Sequence, residues 1–306
     1  MGKHGGVSPG LAPGKHRGYL LMVAKARTGQ VGAGAVLVVV LVIVALALAK
    51  SNRIPVTPSI GDGCIVHSGT FNVPLSTGQA GLAATIAGVA SRRDLPVRAV
   101  TIAYATALQE SDLENLPFGD RDSVGVFQQR PSQGWGTRQE LLNPIYASTR
   151  FFAALTAIPG YLKLPIYQAA QDVQRSADGS AYSQYAPQGA VMATGFTGAA
   201  ARTVWCWYGS RISGRGRLAA ADSQLTAAFG RLGVRNVGDP IMAVRVPDRA
   251  AGWAVACWLV THAASYRIDA VRFLGYQWLA SVGQKGWRKV HPSRHWPTAP
   301  LTVAFG

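Results

Sequence analysis

The sequence predicts a mainly α-helical protein with three parts: a membrane-spanning helix, a helical domain, and a small α/β appendage. Three observations predict it. Residues 31–49 form an unbroken run of apolar residues and glycine, close to the ~20 residues that a helix needs to cross a bilayer. Between 76 and 177, capped apolar stretches of helical length follow one another with little strand-like alternation. From 218 onward a helical pattern at 253–264 precedes an alternating one at 267–273, where Ile268 lies two before Ala270 and Val271 two before Phe273.

The elements follow in chain order. Residues 1–30 are basic and glycine-rich and predict a disordered cytoplasmic segment. Lys3, Lys15, Arg17, Lys25 and Arg27 precede the apolar run while Lys50 and Arg53 follow it, an asymmetry that places the N-terminus in the cytoplasm and the rest of the chain outside. Ala47-Leu48-Ala49 also fits a signal-peptidase site, so secretion after cleavage is the alternative to anchoring. Residues 50–63, with Pro55 and Pro58, read as a linker. Ser76 or Thr77 caps a helix through about 91. Asp94 as N-cap and Pro96 near the first turn begin another.

The formal charge of +16 suggests nucleic acid until it is divided along the sequence. Residues 1–60 hold 7 Lys or Arg and no Asp or Glu, residues 61–210 hold 10 of each kind, and residues 211–306 hold 13 against 4. No basic and aromatic array of a nucleic-acid fold accompanies the charge, which argues against DNA or RNA as a partner.

The helix over 97–108 has no charged stripe and is therefore expected to be buried, so that Glu110 emerges from the core at its C-terminal end, a setting suited to a general acid. Glutamates are scarce: Glu110, Glu114 and Glu140 are the three in the chain. Beyond Glu110 lie the polar loop 119–123, with Asp120 and Asp122, and then Ser123-Val-Gly-Val-Phe-Gln-Gln-Arg-Pro131. Asn143-Pro144 opens a helix to about 157, and a further helix is expected from 167 or 168 to 177.

This order of motifs resembles the lytic transglycosylases of the lysozyme superfamily, in which a glutamate-serine pair closes a helix and a glycine-led turn ending in glutamine and proline follows. The similarity is closest to transglycosylase-like exported proteins of actinobacteria, in which Ala-Leu-Gln-Glu-Ser, Gly-Asp-Arg-Asp-Ser and Phe-Gln-Gln-Arg-Pro-Ser-Gln-Gly-Trp-Gly run almost as here. It covers about half the chain, from Cys64 to Cys206. The resemblance implies a lysozyme-like domain over 64–210 that cleaves peptidoglycan glycan strands, with Glu110 as sole acid and base and a 1,6-anhydro sugar as product. It assigns substrate contacts to Ser111, Ser123, Gln128 and Gln129. Where relatives carry a tyrosine-asparagine-alanine-glycine signature this chain departs from them, and Tyr182 is the substitute. A hydrolytic muramidase is the alternative, with Asp120 or Asp122 as second carboxylate, although Arg121 and Arg130 nearby suit a salt-bridged loop equally well. A wall-binding or assembly protein that keeps the fold without turnover is the third reading. No metal or organic cofactor is implied.

Residues 211–217 read as a linker to the basic appendage over 218–306, whose charge suits anionic wall polymers. Three cysteines allow three pairings. Cys64 and Cys206 bracket the domain of the resemblance and are the expected disulfide, leaving Cys257 free.

Overall fold

The computed structural model describes residues 61–175, 180–209, 212, 214–238, 240–291 and 301–306. The apolar run 31–49, the basic segment before it and most of the 50–63 linker lie outside these residues. All described residues fall within one compact unit, Val56–Gly306.

Strands β1 (Gly63–Ser68) and β2 (Phe71–Leu75) form a hairpin around a two-residue turn, in which Gly69 supplies a positive φ of 58°. Helix α1 (Thr77–Arg92) starts from the expected cap, completed into a capping box: Gln79 N–H donates to Ser76 Oγ, and Ser76 N–H donates to Gln79 Oε1. Helix α2 (Val97–Ser111) begins one turn later. Asp94 is not its cap, because it sits in the left-handed region (φ 53°) of the intervening turn, and Pro96 holds the N-cap position with no side-chain bond. Proline has the extended backbone that position requires and no N–H to satisfy. The short α3 (Arg138–Leu141) leads to α4 (Pro144–Thr156), capped as expected by Asn143, whose Oδ1 accepts from Ile145 and Tyr146 N–H. Helices α5 (Ile166–Gln174), α6 (Ser180–Ser183) and α7 (Ala186–Phe196) complete this layer. Strand β3 (Val204–Trp207) then returns to pair with β1, giving the order β2-β1-β3. Cys64 lies opposite Cys206 in that ladder, and the two are joined in a disulfide.

The second half adds α8 (Leu218–Phe229), β4 (Gly233–Gly238), β5 (Ile241–Arg245), α9 (Arg249–Thr261), α10 (Ala263–Tyr266), β6 (Ile268–Phe273), β7 (Tyr276–Leu279), β8 (Arg288–Lys289) and β9 (Leu301–Phe305). The strands make an antiparallel sheet in the order β4-β5-β9-β6-β7-β8. The break in alternation between Ala270 and Val271 has a structural cause: the β6–β9 register shifts between Ile268 and Ala270, so both Ala270 and Val271 are buried.

Two expectations are corrected. The protein is α+β and not mainly α, because among the described residues nine strands form two antiparallel sheets. The membrane placement is corrected as well: among the described residues no helix is long and apolar enough to cross a membrane, and the 31–49 run on which that placement rested is outside them.

The halves on either side of 211–217 share one hydrophobic core. Helix α1 is buried from Ala80 to Ala90 except at Leu82, and α9 is buried from Gly252 to Thr261. A Cβ at Gly88 would meet the Phe229 ring of α8 at 2.8 Å, so glycine there lets the two helices close together. Arg92 donates to the Ala227 carbonyl at 2.8 Å. The outward carbonyls of β3 are capped from the far half by two indoles, Trp278 Nε1–H to Cys206 O at 2.9 Å and Trp287 Nε1–H to Val204 O at 2.8 Å.

A chain ending after Gly209 is therefore expected to lose cooperative unfolding. It would expose the α8-facing side of α1 and the apolar residues of the shared core that the second half covers, at about 25 cal/mol per Å² of apolar surface left in water. A calorimetric transition for the truncated chain at the melting temperature of the full one would refute this.

Candidate active site

Helix α2 is apolar or small along its buried length, from Ala99 to Leu108. Its last turn carries Gln109 and Glu110, both only partly buried, and Asp112 stops it in the left-handed conformation (φ 54°). The position of this helix end is fixed from two sides. Gln79, already used in the cap of α1, donates through Nε2 to the Asp112 carbonyl at 2.8 Å. Ser111 is buried, its Oγ lying 3.1 Å from Ala107 O and 2.8 Å from Val126 O, so its one proton serves either carbonyl, while the same oxygen accepts from Glu114 N–H at 3.2 Å. Ser111 thus ties the helix end to the following turn, and its hydroxyl is engaged with backbone.

That turn is a tight loop closed by Val124 and Gln129, which exchange both backbone hydrogen bonds at 3.1 Å. Gly125 takes φ 80°, and a Cβ there would stand 2.4 Å from the Leu141 carbonyl, so no other residue fits without moving backbone. Phe127 is buried and stacks on Phe151 at 4.4 Å. Gln174 of α5 donates to Phe127 O at 2.7 Å. Both glutamines of the motif turn inward. Gln128 (φ 49°) donates to the carbonyls of Phe118 and Gly125 at 3.3 and 3.0 Å, and Gln129 is 2% exposed with its Nε2 3.4 Å from Ala147 O. Ser123 is buried beneath the same loop.

Tyr182, which comes from α6, is brought to the carboxyl: its O–H donates to Glu110 Oε1 at 2.6 Å, and its ring is buried. Beside it Gln184 donates to Gln109 Oε1 at 3.3 Å. No other hydrogen bond to the Glu110 carboxyl is present among the described residues. One oxygen of a half-buried carboxylic acid is thus held by a phenol while the other remains for a reacting group, the arrangement a proton donor and acceptor requires.

The two aspartates have other surroundings. Asp122 accepts from Arg130 Nε at 2.9 Å, from Ser132 Oγ at 2.9 Å and from Ser132 N–H at 2.7 Å. The Ser132 backbone bond first, and then the Arg130 guanidinium, hold its carboxyl down at about 2. Asp120 is almost fully exposed, 3.9 Å from Arg121. Asp112 has its carboxyl raised by burial and by the nearby Glu114. Among the described residues no group of three or more His, Cys, Asp or Glu stands close enough to hold a metal ion.

Three contributors escaped sequence reasoning. The Ser76-x-x-Gln79 spacing is a readable capping signal, but nothing in the sequence shows that the same amide reaches the end of α2. Gln174 carries no local signal. Phe118 is 67% exposed, and its carbonyl accepts from Gln128, a contact that no local pattern announces.

The Asp122 bonds give a pH signature. A carboxyl held at about 2 against an ordinary 3.8 contributes stability that is complete above the ordinary value and is lost as pH falls from about 4 towards about 2. Between those pH values the unmodified protein is expected to lose more of its melting temperature than Asp122→Asn does; parallel curves would show that the loop bonds contribute nothing.

No protein-family model matches the chain, and no curated protein matches it.

Proposed function

We propose that the protein cleaves the glycan strands of peptidoglycan, with Glu110 as a single acid and base. The observation that carries this reading is the Tyr182–Glu110 hydrogen bond, which joins the carboxyl that closes α2 to a residue 72 positions away and leaves one carboxyl oxygen for the substrate. The motif order gives the substrate class, since it resembles that of lytic transglycosylases.

Glycosidases ordinarily employ two carboxylates, but a 2-acetamido sugar supplies its own nucleophile, the acetamido oxygen. Glu110 protonates the oxygen that leaves N-acetylmuramic acid while the acetamido oxygen closes on C1. The resulting carboxylate then takes the proton of the C6 hydroxyl, whose oxygen displaces the acetamido group from C1. The product is a 1,6-anhydro sugar, and no water is consumed. Tyr182 positions the carboxyl between the two proton transfers. The amide nitrogens of Gln128 and Gln129 donate to backbone carbonyls, so their part is to fix the turn beside Glu110. A hydrolytic muramidase would draw on a second carboxylate: the oxygens of Asp122 are already bonded to Arg130 and Ser132, and Asp120 is exposed to solvent beside Arg121.

The inward-facing glutamines favour one other reading, a wall-binding protein of the same architecture without turnover. In either case Arg235 and Arg245 on the β4–β5 pair suit an anionic wall polymer as a further partner, since among the described residues both salt bridges lie elsewhere, at 120–130.

Glu110→Gln keeps shape and most hydrogen bonding but not the transferable proton. Release of anhydro-sugars from purified peptidoglycan is expected to fall by ~10²–10⁴-fold or more, with the melting temperature unchanged. Turnover at the unmodified rate would rule out the assignment, and binding without release by the unmodified protein would favour the wall-binding reading.

Tyr182→Phe keeps the buried ring and removes only the hydroxyl. We expect a smaller loss, about tenfold in kcat, a size set by one hydrogen bond to a charged group of about 1.5 kcal/mol, with KM little altered and the pH–rate profile displaced. An unchanged profile would reduce Tyr182 to packing.

A further inference from the structure

Away from Glu110, a cavity of about 360 Å³ opens between the N-terminal half of α1, the start of α4, and the α9–α10 corner. That is the size range of small-molecule sites, ~300–1,000 Å³. None of its lining residues is Lys, Arg, Asp or Glu. At its base lies His262, stacked on Trp258 at 4.1 Å, with Tyr266 on the same array. His262 Nδ1 is 2.8 Å from the Trp258 carbonyl, so the proton is assigned to Nδ1 and Nε2 keeps its lone pair. Burial pushes the imidazole down to about 4, which keeps it neutral at ordinary pH. Among the described residues Nε2 accepts no hydrogen bond, and the ring is accessible through the cavity.

One wall of the cavity, over the imidazole ring, is Gly81, in the interior of α1, where glycine weakens a helix. A Cβ at Gly81 would stand 3.4 Å from His262 Nε2, 3.6 Å from Cε1 and 3.9 Å from Cδ2, in ordinary contact over the imidazole ring and not in line with the in-plane lone pair. Glycine at this position leaves the space over the ring free of a methyl group and the cavity that much wider. Around it the cavity offers Leu82 and Ile145 as apolar contacts and the Tyr266 ring as a flat one, while Thr77, Gln224 and Ser265 present hydroxyls and an amide at the rim.

We infer that this cavity binds one uncharged 2-acetamido sugar ring, with the acetamido N–H donated to His262 Nε2. The absence of charge in the lining selects a neutral ligand, the bare acceptor selects one with an N–H or O–H to give, and the apolar wall takes a methyl group and a pyranose face. Only the choice of an N-acetylated sugar rests on the reading proposed for Glu110. The site would hold a neighbouring part of a glycan strand apart from the bond being cut.

The test uses the full chain and the uncharged trimer of N-acetylglucosamine, observed through the ring nitrogens of His262 by NMR, with His262→Gln to assign the signal. The trimer is expected to shift the Nε2 resonance, and cellotriose, which lacks the acetamido group, is not. Gly81→Ala is expected to weaken trimer binding at this signal at least tenfold while the melting temperature holds or rises. An unmoved Nε2 signal at saturation, equal shifts with cellotriose, or unchanged affinity in Gly81→Ala overturns the inference. Should Gly81→Ala melt lower, Gln224→Ala at the exposed rim is measured instead, with at least threefold weakening expected and unchanged affinity overturning the site. Glu110→Gln should bind at His262 as the unmodified protein does, and loss of that signal would place the sugar in the catalytic cleft and overturn the cavity site. Failure of the Glu110 reading shows separately, as undiminished turnover by Glu110→Gln.

Discussion

A helix without a polar face has to be covered on every side, and α1 imposes that requirement on the whole molecule. Its buried stretch from Ala80 to Ala90 is built almost entirely of alanine, glycine, valine and isoleucine, so it offers close approach but little bulk of its own. The bulk comes from its neighbours, with Tyr104 of α2 on one side, its hydroxyl bonded to the Ala83 carbonyl at 2.7 Å, and Phe229 and the His262 array on the other. Because α1 also holds the end of α2 through Gln79, the covering of one helix sets where Glu110 stands. The catalytic-looking half and the basic half are joined through this shared helix.

The same geometry separates what the sequence motif specifies from what it suggests. The run from Ser123 to Pro131 has the residue order of a substrate-binding turn, yet the amide nitrogens of both glutamines and the Arg130 guanidinium are used in building the turn. Gln129 faces the core, Gln128 holds the carbonyls of its own loop, and Asp122 and Arg130 bind each other. The part of the motif that reaches a prospective substrate is the carboxyl of Glu110, supported by a tyrosine far away in sequence. A conserved-looking order of polar residues can therefore mark a scaffold for one chemical group.

Much of the first half was legible because its signals are local. Capping residues at 76 and 143, the proline before α2 and the apolar period of the helices each act within one or two turns, and those helices stand where the residues place them. Glu110 was legible for the same reason, as a carboxylate ending a helix whose other charged residue, Arg98, lies in the first turn. The sheets were not. The strands β1 and β2 are six and five residues long, too short for alternation to stand out, and β4, reading Gly-Val-Arg-Asn-Val-Gly, has glycine at both ends and an arginine and an asparagine in the middle. β1 has its second partner, β3, more than a hundred residues away, and β4 is an edge strand held by β5 alone. The single core was hidden too, since the glycine and arginine content of 211–217 resembles a linker whether or not the segments beyond it pack together.

In the larger sheet the strand order has a temporal consequence. β9 comes last along the chain yet lies between β5 and β6, while β4–β5 and β6–β7 are each neighbours in sequence and can pair as soon as they are made. Two hairpins then wait, each with an open edge, until residues 301–305 arrive to bridge them. Contacts that span so much chain are slow to form, and open strand edges invite foreign pairing in the interval. The half of the protein that covers α1 is thus the half whose sheet closes last, and until β9 pairs, the edges of β5 and β6 stay open.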